Sequence, residues 1–234
     1  MLNYLSALQF IFPSLLLGMG IAQNPQYHAY DVYTHCIHAF AISQPEIKSR
    51  LAALLHDAGK PAAYIENGNM HGHEIRGAEI ARQELKALAF DNKTIDTVSL
   101  LIKNHMFDLQ NLAKPLTVRK KIAELGEEMF RKLIALRRAD FIGSGKPMAV
   151  VESAARWEKI LEEMLAENAP FTENDLNITG NDIMQALNIP AGELVGVIKK
   201  RLLSVCIARP SQNSRRFLLA HAKNIYKELI SHEQ

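Results

Sequence analysis

Apolar positions recur at three- and four-residue intervals over stretches of helix length, and alternating strand-like runs are scarce, so the pattern predicts an all-α protein. Over residues 28–42, His28, Val32, His35, Ala39 and Ile42 share one helical face. Over 93–105, Ile95, Val98, Ile102 and His105 repeat that spacing, and over 127–141 Met129, Leu133, Leu136 and Asp140 do the same. Arg50–Leu55 reads as a buried helix for which Gly59 supplies a stop and Pro61 prevents continuation. His73 opens an amphipathic helix that runs to Leu85. Pro and Gly punctuate the chain at Pro13, Pro25, Pro45, Gly68, Pro115, Gly143–Pro147, Pro170, Pro190 and Pro210, leaving mostly helix-length stretches between them. A loop rich in cap residues after Glu167 marks a soft boundary, with a domain over 1–166 and a C-terminal helical extension over 167–234 expected to pack on it.

The apolar run Leu5–Ile21 has no Lys or Arg before it, the first basic residue being Lys48, and Gln9, Pro13 and Ser14 interrupt it. It reads as a packed helix-turn-helix entry, not a secretion signal or a membrane span.

Several positions on these apolar stripes carry groups that are costly to bury. His35 and Asp140 stand where an apolar residue is expected, His105 closes the last turn of its stripe, and His56-Asp57 is delivered at the end of a buried helix. A buried carboxylate needs a cation, a hydrogen-bond network or a metal. Each residue alone has an ordinary explanation: a hydrogen-bonded core histidine, or for Asp140 an ion pair with nearby Arg137 or Arg138. Inward-facing imidazoles and carboxylates on separate helices are harder to satisfy by unrelated local bonds, and mixed His/Asp ligation suits a divalent transition metal over Ca.

With 234 residues and 48% hydrophobic content the chain can bury a substantial core. Two cysteines, Cys36 and Cys206, give neither a disulfide framework nor a zinc pattern, which makes reducing cytoplasm the simplest compartment. The net charge of +2 is uninformative, but its distribution is not. From Leu194 to Lys227 there is no Asp or Glu, while Lys199, Lys200, Arg201, Arg209, Arg215, Arg216, Lys223 and Lys227 accumulate. This 199–227 segment either contacts RNA or tRNA, or is a solvated face balanced by acidic neighbours.

The order His35, His56-Asp57, Asp140 resembles the signature of the HD-domain metal-dependent phosphohydrolases. The wider text is similar to the HD portion of bacterial CCA-adding tRNA nucleotidyltransferases: Gln26–His35, Leu54–Pro61, Gly72-His73-Glu74 with Gly77-Ala78, Lys103–His105, Ile178–Met184, Pro190–Gly192 and Val195-Gly196. That likeness runs from about residue 20 to about 210. Those enzymes begin with a nucleotidyltransferase head bearing an Asp-x-Asp pair; this sequence contains no Asp-x-Asp, so a free-standing HD module that does not polymerise is expected.

The resemblance implies an HD-domain helical bundle and hydrolysis of nucleotide phosphoesters (2',3'-cyclic phosphodiesterase, nucleotidase or phosphatase type) by metal-activated water. His35, His56, Asp57 and Asp140 then hold a divalent ion, one of Mn, Fe, Ni, Co or Mg, and one or two ions bind. His73 and His105 either ligate a second ion bridged by Asp57 or act as general acids on the leaving oxygen. Lys60 is placed to neutralise a phosphoryl oxygen, and its ordinary reading is a cation at a helix C-terminus. Arg76 stands as a phosphate clamp or as a surface partner of Glu79 or Glu84, and His28 as a further substrate contact. Two other classes remain open: an RNA- or tRNA-binding accessory module, and a cyclic dinucleotide phosphodiesterase.

Overall fold

The computed structural model describes residues 2–146 and 151–231; the turn expected at Pro147 lies outside them. Among the described residues the chain is all helical, without strands: α1 (Leu2–Ile11), α2 (Pro13–Leu16), α3 (Val32–Ile42), α4 (Ile47–Leu55), α5 (Lys60–Asn67), α6 (His73–Ala87), α7 (Asn92–Asn104), α8 (Pro115–Leu125), α9 (Glu127–Gly143), α10 (Glu152–Ala166), α11 (Gly180–Leu187), α12 (Glu193–Ala208) and α13 (Arg215–Ser231), with short 3-10 turns at Glu173–Asp175 and Pro210–Gln212. None of these helices is long and apolar enough to cross a membrane. Two compact units emerge, one of Met1–Leu112 with Glu128–Arg156, the other of Ala113–Glu127 with Trp157–Gln234.

In the first unit α3, α4 and α7 pack side by side, with α6 against both α5 and α7. Asp91 starts α7, its carboxylate accepting from the Thr94 amide at 2.9 Å, and Asp31 starts α3 in the same way through the Thr34 amide at 2.8 Å. That cap corrects the expected helix over 28–42. Val32, His35 and Ala39 are buried on one face as the spacing requires, whereas His28 lies in the turn before the cap and Ile42 is 47% exposed. On α9 Phe130 takes the buried place expected of Met129, and Leu133, Leu136 and Asp140 are buried as read. Pro61 does not end structure after His56-Asp57. It lies in the first turn of α5, where its missing N–H is no loss. The α1–α2 entry is fastened by Ser14, whose hydroxyl and amide both donate to the Glu84 carboxylate of α6, at 2.8 and 2.9 Å.

Two glycines let backbones touch. A Cβ on Gly59 would stand 2.2 Å from the His73 carbonyl oxygen and 2.5 Å from the Gly77 nitrogen, and one on Gly143 would stand 2.7 Å from the Ala39 nitrogen. Gly59 is therefore a close-packing residue more than a helix stop. The first crossing draws the start of α6 onto the turn that follows α4. The second sets the end of α9 against the middle of α3.

The second unit buries a continuous apolar core of Leu176, Ile178, Ile183, Val195, Ile198, Leu202, Cys206, Leu218, Ala222 and Ile225, supplied by α11, α12, α13 and the loop before them. Reciprocal capping boxes at Thr172/Asp175 and Thr179/Asp182 begin the Glu173–Asp175 turn and α11.

Candidate metal centre

The crossings bring six buried ligand-type side chains together. His35 comes from the inner face of α3, His56 and Asp57 from the turn after α4, His73 from the first residue of α6, His105 from the end of α7, and Asp140 from the last full turn of α9. They form two triads, His35/His56/Asp140 and Asp57/His73/His105, each with ligand atoms within 4.8 Å of one another.

In the first triad the Nε2 atoms of His35 and His56 approach to 3.0 Å, and Asp140 Oδ1 lies 3.1 and 3.4 Å from them. In the second, the Nε2 atoms of His73 and His105 are 3.2 Å apart, with Asp57 Oδ1 at 3.1 and 3.6 Å. Asp57 joins the two: its other oxygen, Oδ2, stands 3.4 Å from Nε2 of both His35 and His56.

The tautomers explain why this arrangement fits a cation. Nδ1 of His56, His73 and His105 lies 2.9, 2.8 and 2.7 Å from the carbonyls of Ala53, Met70 and Ile102. A carbonyl only accepts, so each Nδ1 carries a proton and each Nε2 faces the centre, where it offers a lone pair to a metal ion once its own proton is given up. Lone pairs and carboxylate oxygens converging within 3.0–3.6 Å repel unless protons or metal ions lie among them. Carbonyls that anchor Nδ1 in this way are a usual support of metal-ligating imidazoles. His35 differs, since its buried Nδ1 has no hydrogen-bond partner; the His28 ring stands edge-on to it at 4.7 Å.

The electrostatics follow the same logic. Burial pushes the Asp57 carboxyl up, but the charges of His56 and Lys60 and hydrogen bonds from His105 and His56 overcome it and hold it well below the usual range. Asp140 likewise is raised by burial and more than offset by hydrogen bonds from His35 and His56. His56, disfavoured as a cation by burial, is pushed well above its ordinary value by Asp57 and by Asp140. Burial lowers His105 and, with the Lys60 charge, brings His28 to about 4.

Lys60 begins α5, which corrects its reading as a cation at a helix C-terminus. Positive charge at a helix start is unfavourable, and Asp57 offsets it: Nζ donates to Asp57 Oδ2 at 2.6 Å and to Gln23 Oε1 at 2.5 Å. Gln23 carried no signal in the sequence; its Nε2 also donates to the Tyr30 carbonyl at 3.3 Å. Arg76 is not brought into the cluster. Its guanidinium pairs at the surface with Glu66 and with Glu79, while Glu84 is engaged by Ser14.

A family model described as HD domain matches residues 26–142, the span that holds every one of these ligand-type residues. The chain belongs to the HD-domain family. Among curated proteins this HD-domain chain is 27% identical to the A-adding tRNA nucleotidyltransferase of Deinococcus radiodurans over 86% of its own length and 48% of the relative's. It is 28% identical to the CC-adding tRNA nucleotidyltransferase of Thermus thermophilus over 82% and 44%, and 27% identical to the multifunctional CCA protein of Legionella pneumophila over 67% and 40%. The chain thus spans less than half the length of these relatives. No solved structure matches it.

Proposed function

We propose that this HD-domain chain is a divalent-metal-dependent phosphohydrolase that cleaves phosphoester bonds of nucleotides, as a 2',3'-cyclic phosphodiesterase, nucleotidase or phosphatase. The observation that carries this reading is Asp57, whose two oxygens serve two separate triads of buried ligand atoms. His35, His56 and Asp140 with Asp57 Oδ2 would hold one ion, and His73 and His105 with Asp57 Oδ1 a second. Mn, Fe, Co or Ni suit such mixed nitrogen and oxygen donors, and Mg, which prefers oxygen ligands, suits them least. A bound ion of this type supplies Lewis acidity that polarises a phosphoryl oxygen and makes water a nucleophile near neutral pH.

The remaining roles belong to the chain's own groups. Lys60 spends two of its three N–H donors on Asp57 and Gln23, which leaves the third for a phosphoryl oxygen. His28, held near 4, is neutral at physiological pH and serves as a hydrogen-bonding contact to substrate, not as a cation. The free thiols Cys36 and Cys206 suit a reducing compartment, in keeping with a cytoplasmic enzyme.

Elemental analysis of purified protein, paired with turnover of bis(p-nitrophenyl) phosphate and p-nitrophenyl phosphate in Mn, Ni, Co and Mg, tests this. Bound metal and metal-dependent release of nitrophenol from at least one ester are expected. Folded protein with neither refutes the hydrolase.

A second reading is favoured by the relatives, two of them tRNA nucleotidyltransferases, and by the second unit's basic surface. Lys200, Arg201, Arg209, Arg215, Arg216, Lys223 and Lys227 are exposed on α12, α13 and the turn between them, with Arg201 paired to Glu228 and Arg215 to Asp182. RNA contact through this 199–227 segment predicts a tRNA mobility shift. Reversing Lys199, Lys200 and Arg201 in charge then weakens it and lowers the salt slope by about 1 for each phosphate no longer engaged; an unchanged shift rejects the contact.

A further inference from the structure

Arg137 lies on α9 one turn before Asp140, with only 11% of its side chain exposed. A largely buried guanidinium needs its donors satisfied, and this one sends them in three directions. Nη1 donates to Asp140 Oδ2 at 3.1 Å, Nη2 to the Leu109 carbonyl at 3.2 Å, and Nε to Ser153 Oγ at 3.2 Å. Its Cζ stands 5.8 Å from the centre of the Phe141 ring.

Each bond has a consequence for the metal centre. With Oδ2 taken by the guanidinium, Asp140 turns only Oδ1 toward His35 and His56, at 3.1 and 3.4 Å. Leu109 follows His105 by four residues, so the bond to its carbonyl tethers the segment that carries the last imidazole of the other triad. Ser153 belongs to the first turn of α10, which fastens the guanidinium from a third side. A lysine keeps the charge but lacks the planar fork needed for three divergent bonds.

We propose that Arg137 is the positioning residue of the metal centre, making Asp140 a one-oxygen ligand and setting the two triads against each other through one shared group. The proposal rests on the reading above that the triads hold divalent cations. Arg137 touches neither ion nor substrate.

The test is isothermal titration of Mn(II) into the chelator-stripped 234-residue chain, with thermal unfolding of each metal-free protein alongside. Arg137→Lys and Arg137→Gln are expected to bind Mn(II) about 10- to 100-fold more weakly, the range found when outer supports of metal ligands are removed. Ser153→Ala, which deletes one anchor and keeps the guanidinium, gives a smaller loss in the same direction. Ile134→Ala, buried on the same helix and outside both triads, lowers the unfolding midpoint and keeps Mn(II) affinity. Wild-type affinity in folded Arg137→Lys overturns the proposal, as does an equal loss in Ile134→Ala. Should Arg137→Lys fail to fold, Ser153→Ala decides alone, and unchanged affinity there overturns the proposal. Wild-type protein that binds no Mn(II) refutes the metal centre itself and the proposal with it, whereas normal wild-type binding with unaffected variants refutes only the role of Arg137.

Discussion

The interiors of the two compact units are built on opposite principles. The buried side chains described in the second are apolar, aliphatic groups together with the Trp157 indole, the Met164 thioether and the Cys206 thiol. The first has an apolar core as well, but encloses His35, His56, Asp57, Lys60, His73, His105 and Asp140 within it, each 9% exposed or less. Burying a methylene contributes about 0.8 kcal/mol, whereas replacing a buried ionic cluster by hydrophobic residues is often neutral or stabilising by about 1–4 kcal/mol. The second unit's core illustrates that a helical unit of this chain can be assembled without such groups. The ionisable cluster of the first unit is therefore better explained by chemistry than by folding.

The largest effect that would break this contrast is on turnover. Asp57→Ala removes the carboxylate common to both triads, so activity against nitrophenyl phosphates should fall at least about 100-fold, the upper range for losing an outer support alone. Steady-state kinetics across the metal series reads it, and retained activity would mean that the cluster serves structure only. In the other unit, Leu202→Ala empties fully buried volume and should cost about 2–5 kcal/mol in urea unfolding. Its Mn(II) affinity below the unfolding transition should stay at the wild-type value.

Lys60→Ala tests a charged group that is not a ligand. Turnover should drop about 100-fold, comparable to loss of one transition-state donor, while elemental analysis finds the metal still bound. Gly59→Ala tests the crossing that assembles the site: its methyl meets the backbone of His73 and Gly77. Overpacking of this kind costs about 1–3 kcal/mol, and Mn(II) binding should weaken along with stability.

The inward placement of the ligand-type residues was legible in the sequence because helical periodicity fixes which residues face inward. His35 and Asp140 stood on apolar stripes, His105 at the end of one, and the chain delivers them there. Capping and close approach were harder to read. Asp31 caps α3 and leaves His28 outside it, a local choice between two helix starts that the stripe alone could not make. Pro61 could end one helix or begin another, and its N-terminal role became evident only with α5. Gly59 and Gly143 act through residues distant in sequence, at His73, Gly77 and Ala39, so composition gave no hint of the crossings. Arg137 was visible as an i,i+3 partner of Asp140, but its bonds to Leu109 and Ser153 were not.

The smallest predicted effect lies in the second unit. Thr179→Ala removes the cap of α11 and should cost about 1 kcal/mol. Hydrogen bonds from Thr179, then one from Arg215, hold the partly exposed Asp182 carboxyl down to about 2. Because its folded value lies below the ordinary carboxylate value of 3.8, Asp182 stabilises the unit above that pH. This contribution is lost as pH falls through about 2, and Thr179→Ala should flatten the acid limb of the stability profile measured by circular dichroism.

The cation centre itself is tested most directly by counting Mn(II) bound per chain, by elemental analysis after dialysis, in wild-type protein and in Asp57→Asn, which keeps the side-chain shape and removes the charge. Two ions on the wild type and one or none on the variant are predicted. Helical wild-type protein that retains no ion, or a variant that retains as many as the wild type, would contradict a metal centre bridged by Asp57.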